Sequence, residues 1–173
     1  MNRLLPVLAT ALVAALAGCS TLEEPAARLE SANVLPLAID DSYQFRKILL
    51  SAYDPNLPVA RSKIDFINFE RYRRAWGAID SLDLSERYGN YFTFHWRNAI
   101  ESDVTIRLEY RQAELGNHVM ALERFYPSTK GSHRSTFQVT GDDFLEAGLV
   151  TAWRVLLIVD GRIVAFKQSY MWK

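Results

Sequence analysis

Between Val104 and Arg111 every second residue is apolar, with Val104, Ile106, Leu108 and Tyr110 alternating against Thr105, Arg107, Glu109 and Arg111. A period of two puts successive side chains on opposite faces of an extended strand, so one face is expected in a core and the other in water. A strand wet on one side belongs to an antiparallel sheet. This stretch constrains the fold more than any other, because its neighbours repeat the pattern.

Tyr91–Arg97 alternates too, with Phe92, Phe94 and Trp96 on one face, after a turn at Arg87-Tyr88-Gly89-Asn90. Gly116-Asn117 predicts a tight hairpin into a strand over His118–Tyr126. Pro127 is expected to end that strand and Gly131 to mark a loop, before a short strand over Ser135–Thr140. Asp160-Gly161, a strong hairpin signal, joins Val150–Val159 to Arg162–Trp172. In the first of these strands Trp153, Val155, Leu157 and Val159 share a face while Leu156 and Ile158 make the other face apolar, which predicts a central position. The partial alternation in Ile64–Phe69 reads as the first strand of the set. Asp143, with Glu146 three residues later and Gly148 beyond, predicts one capped helical turn.

Counted from Ile64, about seven short strands joined by turns predict an all-β fold, an antiparallel immunoglobulin-like or fibronectin-like β-sandwich. A jelly roll or small barrel is the alternative. Leu35–Tyr53 fits either period: Asp41 and Ser42 offer a helix cap, yet a strand ending at Asp54-Pro55-Asn56 is preferred, as an eighth strand or a cover over a sheet edge.

The acidic, polar stretch from Ser20 to about Asn33 reads as a tether, with a short helix over Pro25–Ser31 as one option. The layout is therefore residues 1–18 as a signal, 19–34 as a tether and 35–173 as a single domain. Residues 19–173 carry 19 basic and 20 acidic side chains, because Arg3 is the only charge before them. The basic excess that a nucleic-acid partner requires is missing. Cys19 is the single cysteine, which rules out a disulfide within the chain and a thiolate metal site. Stability must come from packing, and aromatic residues at 12% of the chain supply the material.

Arg3, an apolar run from Leu4 to Ala17 and small residues at its end have the layout of an export signal. That run covers 14 residues, short of the roughly 20 that a spanning helix needs. Its ending, Leu16-Ala17-Gly18-Cys19, resembles the lipobox of bacterial lipoproteins. The resemblance implies cleavage before Cys19, acylation of its thiol and new amino group, and, with Ser20 next, transfer to the outer membrane facing the periplasm. Anchoring by more than one acyl chain is stable where a single chain is not. The alternative is an ordinary signal cut elsewhere, leaving a free thiol. From about Tyr43 onward the chain is also similar to small exported bacterial lipoproteins without assigned activity, through Tyr91-Phe-Thr-Phe-His-Trp-Arg, Arg107-Leu-Glu-Tyr-Arg, Gly141-Asp-Asp-Phe, Thr151-Ala-Trp-Arg and Ser169-Tyr-Met-Trp. That likeness implies a β-sandwich envelope protein and supplies no catalytic residues.

Catalytic signals are weak. His95, His118 and His133 fall in separate elements without a second ligand at metal spacing. Ser132, His133 and Asp142 or Asp143 lack a nucleophile elbow. Asp142, Asp143 and Glu146 are explained by helix capping more simply than by Ca²⁺. No metal, cofactor or enzymatic activity is expected. One patch stands out: Arg71, Tyr72, Arg73, Arg74 and Trp76 combine forked cations with aromatic faces, types that suit an anionic glycan, lipopolysaccharide or lipid. An edge strand guarded by arginines is the plainer explanation. The expected function is a lipid-anchored, non-catalytic module that binds another envelope component, a protein partner first. A carbohydrate-binding or carbohydrate-processing lipoprotein is the alternative, and it requires Glu109 and Glu123 to meet across a cleft rather than form surface pairs with arginines.

Overall fold

Two long strands, each serving both halves of a sheet folded onto itself, organise the protein. The computed structural model describes residues 25–29, 32–55 and 65–173. In chain order these contain β1 (Ala27–Leu29), β2 (Tyr43–Tyr53), α1 (Asp65–Ala75), α2 (Ser81–Ser85), β3 (Gly89–Gln112), β4 (Met120–Thr140), α3 (Asp142–Ala147), β5 (Val150–Val159) and β6 (Arg162–Gln168). The sheet order is β1-β4-β3-β5-β6, with β2 also on β3, and every pairing between these strands is antiparallel. The chain is the expected all-β antiparallel sandwich.

The first half of β3, from Gly89 to Asn98, lies between β2 and the second half of β4. Its second half, from Thr105 to Gln112, lies between β5 and the first half of β4. The crease falls where the β3–β4 register slips, around Asn98–Ser102 and Tyr126–Gly131. Buried Asn98 staples it, its Nδ2 donating to the Thr129 carbonyl at 2.5 Å and to the Ile100 carbonyl at 3.0 Å. Phe92 and Phe94 on one half then meet Trp153 on the other, with ring centroids 6.5 and 5.9 Å apart. Trp96, Ile106, Leu108, Tyr110, Phe137 and Val155 complete the same core.

Several expectations change. The strands expected at Tyr91–Arg97 and Val104–Arg111 are one strand, as are those at His118–Tyr126 and Ser135–Thr140. Pro127 and Gly131 do not end β4; they sit in the irregular crease, where a missing N–H and a left-handed residue are absorbed, with Ser128 at φ 45° and Gly131 at φ 100°. The tight hairpin expected at Gly116-Asn117 is a longer link that opens with a 3-10 turn at Ala113–Leu115. The strand expected over Ile64–Phe69 is replaced from Asp65 onward by a helix, Asp65–Ala75, while Ile64 lies outside the described residues. The acidic cap expected for α3 is instead Gly141, and no side chain caps that helix. Ala27–Leu29 pairs with β4 as a strand where a short helix was an option.

The preferred strand in Leu35–Tyr53 is β2. The residues before it cover an edge as well, since Ala38 N–H and Asp40 N–H donate to the Ile163 and Val164 carbonyls of β6 at 2.9 and 3.0 Å. With β3 and β6 on its two sides, β5 is central, and Leu156 and Ile158 are buried as expected of such a strand.

Candidate functional site

Helix α1 carries the patch singled out from the sequence, and it is turned inside out. At about 100° per residue, Phe69, Tyr72 and Trp76 fall within one narrow stripe. A helix on a sheet normally buries such a stripe. Here the three side chains are 59%, 62% and 69% exposed, and the Tyr72 and Trp76 rings rest on each other at 5.5 Å. The cationic side faces the protein instead. The Arg74 guanidinium lies 3.5 Å from the centre of the Tyr91 ring. Burial beside Tyr88 pushes the pKa of the Tyr53 hydroxyl up, and the nearby charge of Arg71 opposes that shift. The patch is therefore a helix face with its aromatics outward and not an arginine-guarded edge strand; Arg73 is exposed beside it.

Arg87 locks this orientation. Its Nη1 donates to the Trp76 carbonyl at 2.6 Å and the Arg74 carbonyl at 3.3 Å, covering the end of α1, where helical carbonyls lack partners. Its other nitrogens grip Asp83 at 3.0 to 3.2 Å, and the Tyr91 hydroxyl donates to the Arg87 carbonyl at 2.6 Å. Asp80 caps α2 by accepting from Asp83 N–H at 2.9 Å, while the Asp83 carboxylate accepts from Ile79 N–H at 3.1 Å. That backbone bond first, and Arg87 second, hold the Asp83 carboxyl below its ordinary range. Ile79 and Leu82, which sequence reasoning missed, are apolar and 92% and 69% exposed. The reciprocal pair Asp80-x-x-Asp83 was the available signal for α2.

The described chain enters the fold at this same end. Pro25 and Ala26 share a small cleft with Gln138, Thr140 and Asp143, and Arg28 pairs with Asp143 at 2.6 Å. Gly141 N–H donates to the Tyr88 carbonyl at 3.2 Å, and Tyr88 follows the arginine that holds Trp76. Cys19 and the residues expected to form an export signal lie outside the described residues.

The carboxylates considered for carbohydrate chemistry are brought together, but not across a cleft. Glu109 and Glu123 lie on one face of the sheet with Arg107 between them, its Nε donating to Glu123 at 2.5 Å and its Nη1 lying 3.7 Å from Glu109. Arg154 donates to Glu109 from the other side. The alternation put Arg107 and Glu109 in water, yet they are only 7% and 4% exposed. The physical reason is a cover: the Asn33 carbonyl accepts from Arg107 at 3.0 Å, and Trp172 folds back beneath Arg111 and Arg154, 4.8 and 5.0 Å from its ring centre. The cleft left there, about 570 Å³, is lined by Val34, Leu35, Glu109, Arg111, His118 and Trp172 among others.

The remaining candidates are dispersed. His133 stacks on Trp96 at 4.4 Å, Asp143 is taken by Arg28, and Ser132 and His118 are exposed while His95 is half-buried. Among the described residues no three His, Cys, Asp or Glu side chains are grouped to hold a metal ion. Among the described residues no strand lies beside the outer edge of β4 from Gly131 to Thr140, where β4 pairs with β3 alone, and none lies beside the outer edge of β2. These features define an all-β sandwich with an inverted aromatic helix at the end where the chain enters. No family model, curated protein or solved structure matches the chain.

Proposed function

We propose that the chain is an exported lipoprotein, acylated at Cys19, held on the outer membrane facing the periplasm, whose sandwich domain is a non-catalytic module for another envelope component. The observation that carries the binding role is the edge of β4 over Gly131–Thr140, which no strand covers among the described residues and where Arg124 Nε takes the Thr136 carbonyl at 2.9 Å. A sheet edge without a neighbouring strand accepts an added one, and alternate side chains set its register. Ser132, Arg134 and Gln138 point outward and exposed there, while Ser135, Phe137 and Val139 are buried. Tethering raises the effective concentration of whatever the edge meets. The pairing of Glu109 with two arginines favours this role over glycoside chemistry, which requires a carboxylate free to take or give a proton.

A photo-crosslinking residue at Gln138 of the full chain tests the reading in intact envelopes. A discrete cross-linked protein is expected, absent when the same residue stands at the exposed Asp160 turn. Only uncross-linked chain from both positions would contradict it.

A further inference from the structure

The orientation of α1 asks for an occupant. Water is a poor one for Phe69, Tyr72 and Trp76 on one helix face, and Ile79 and Leu82, which follow in the chain, are exposed as well. The helix is held in that orientation by Arg74 on Tyr91 and by Arg87 on its last carbonyls, so the outward aromatics belong to the folded state. At 11 residues α1 is far too short to cross a bilayer. Its outward side joins Trp and Tyr, residues suited to the headgroup boundary.

Position in the fold selects the partner. Pro25 enters the domain beside Thr140 and Asp143, one hydrogen bond away from the segment Glu86–Tyr88 that carries Arg87. The six residues from Cys19 to Pro25 reach about 20 Å when extended, so a lipid at Cys19 keeps this end of the domain near the bilayer. We propose that the aromatic face of α1 docks on the phospholipid surface to which Cys19 is anchored, with the rings among the headgroups. This rests on the lipoprotein reading for its geometry, and it adds an orientation: the domain lies with α1 down instead of swinging freely on its tether.

Tryptophan quenching tests it. The full chain, purified from envelopes, is placed with phosphatidylethanolamine and phosphatidylglycerol vesicles whose acyl chains carry bromine close to the headgroup, and palmitate content is measured on the same preparation. Docking predicts a loss of emission relative to plain vesicles, and disappearance of that loss in Trp76→Phe, whose circular dichroism reports that the sandwich is intact. Acylated chain with equal emission in both vesicles overturns the docking and leaves the anchor standing. Quenching of a chain without palmitate retains the docking and removes the anchor. Quenching that persists unchanged in Trp76→Phe, or protection of Trp76 only when other envelope proteins are added, assigns α1 elsewhere and overturns the proposal.

Discussion

Two glycines separate two reasons for lacking a side chain. A Cβ on Gly161 meets nothing within 4 Å, so Gly161→Ala bears only the cost of a left-handed backbone at φ 69°, about 1 kcal/mol. At Gly89 the same atom would lie 2.1 Å from the Val139 carbonyl oxygen, where β3 meets the end of β4, and Gly89→Ala is expected to cost about 3 kcal/mol. Urea unfolding of the two variants measures the difference. Histidine 133 makes a pH prediction. Burial holds its imidazole below the usual value of 6.5, although a hydrogen bond with the Lys130 backbone works the other way. The unfolded chain takes a proton near pH 6.5 that the folded protein resists, so this residue leaves stability unchanged above that pH and lowers it as pH falls through it. His133→Phe keeps a ring against Trp96 and removes the titration. Its melting temperature relative to wild type should rise on going from pH 8 to pH 5; a constant difference would contradict the assignment.

The elements were legible in the sequence where local chemistry and tertiary position agree. Asp160-Gly161 marked the β5–β6 turn, which forms with both residues at positive φ, and the doubly apolar Val150–Val159 runs between β3 and β6 with Val155 and Leu157 buried on one face and Leu156 and Ile158 on the other. The helix α1 was missed because Ile64–Phe69 is short and half-alternating, a pattern that does not distinguish strand from buried helix. The better signal was the spacing of Phe69, Tyr72 and Trp76, which suits a helix face, in a segment rich in helix-forming arginines. The crease at Pro127–Gly131 was unreadable for another reason: breaking residues stop a strand unless a bulge takes them in, and that depends on the partner strand. Alternation also misplaced Arg107 and Glu109, since their cover comes from the residues around Asn33 and from Trp172, both distant in the chain. A carboxylate buried between two arginines leaves uncompensated charge when neutralised, so Glu109→Gln should cost on the order of 3 kcal/mol, read by chemical unfolding. An unchanged midpoint would mean that the network is solvated.

At the scale of the whole molecule, the folded sheet, the inverted helix and the entry point of the chain form one arrangement. Two creased strands bring the Pro25 end, α3 and the α1–α2 unit together, with no strand beside the Gly131–Thr140 edge of β4 among the described residues. The candidate site was only half legible: the sequence marked Arg71 to Trp76, but which side of the helix faces outward is decided by Tyr91, Tyr53 and Arg87, contacts made after folding. Everything proposed about where the domain works depends on one residue beyond the described chain, Cys19. The most direct measurement is radiolabelled palmitate incorporation and membrane fractionation of wild type and Cys19→Ala. Wild type should label and sediment with membranes, while Cys19→Ala should lose the label and release the domain with its fold intact; a Cys19→Ala chain still labelled and membrane-bound would contradict the account.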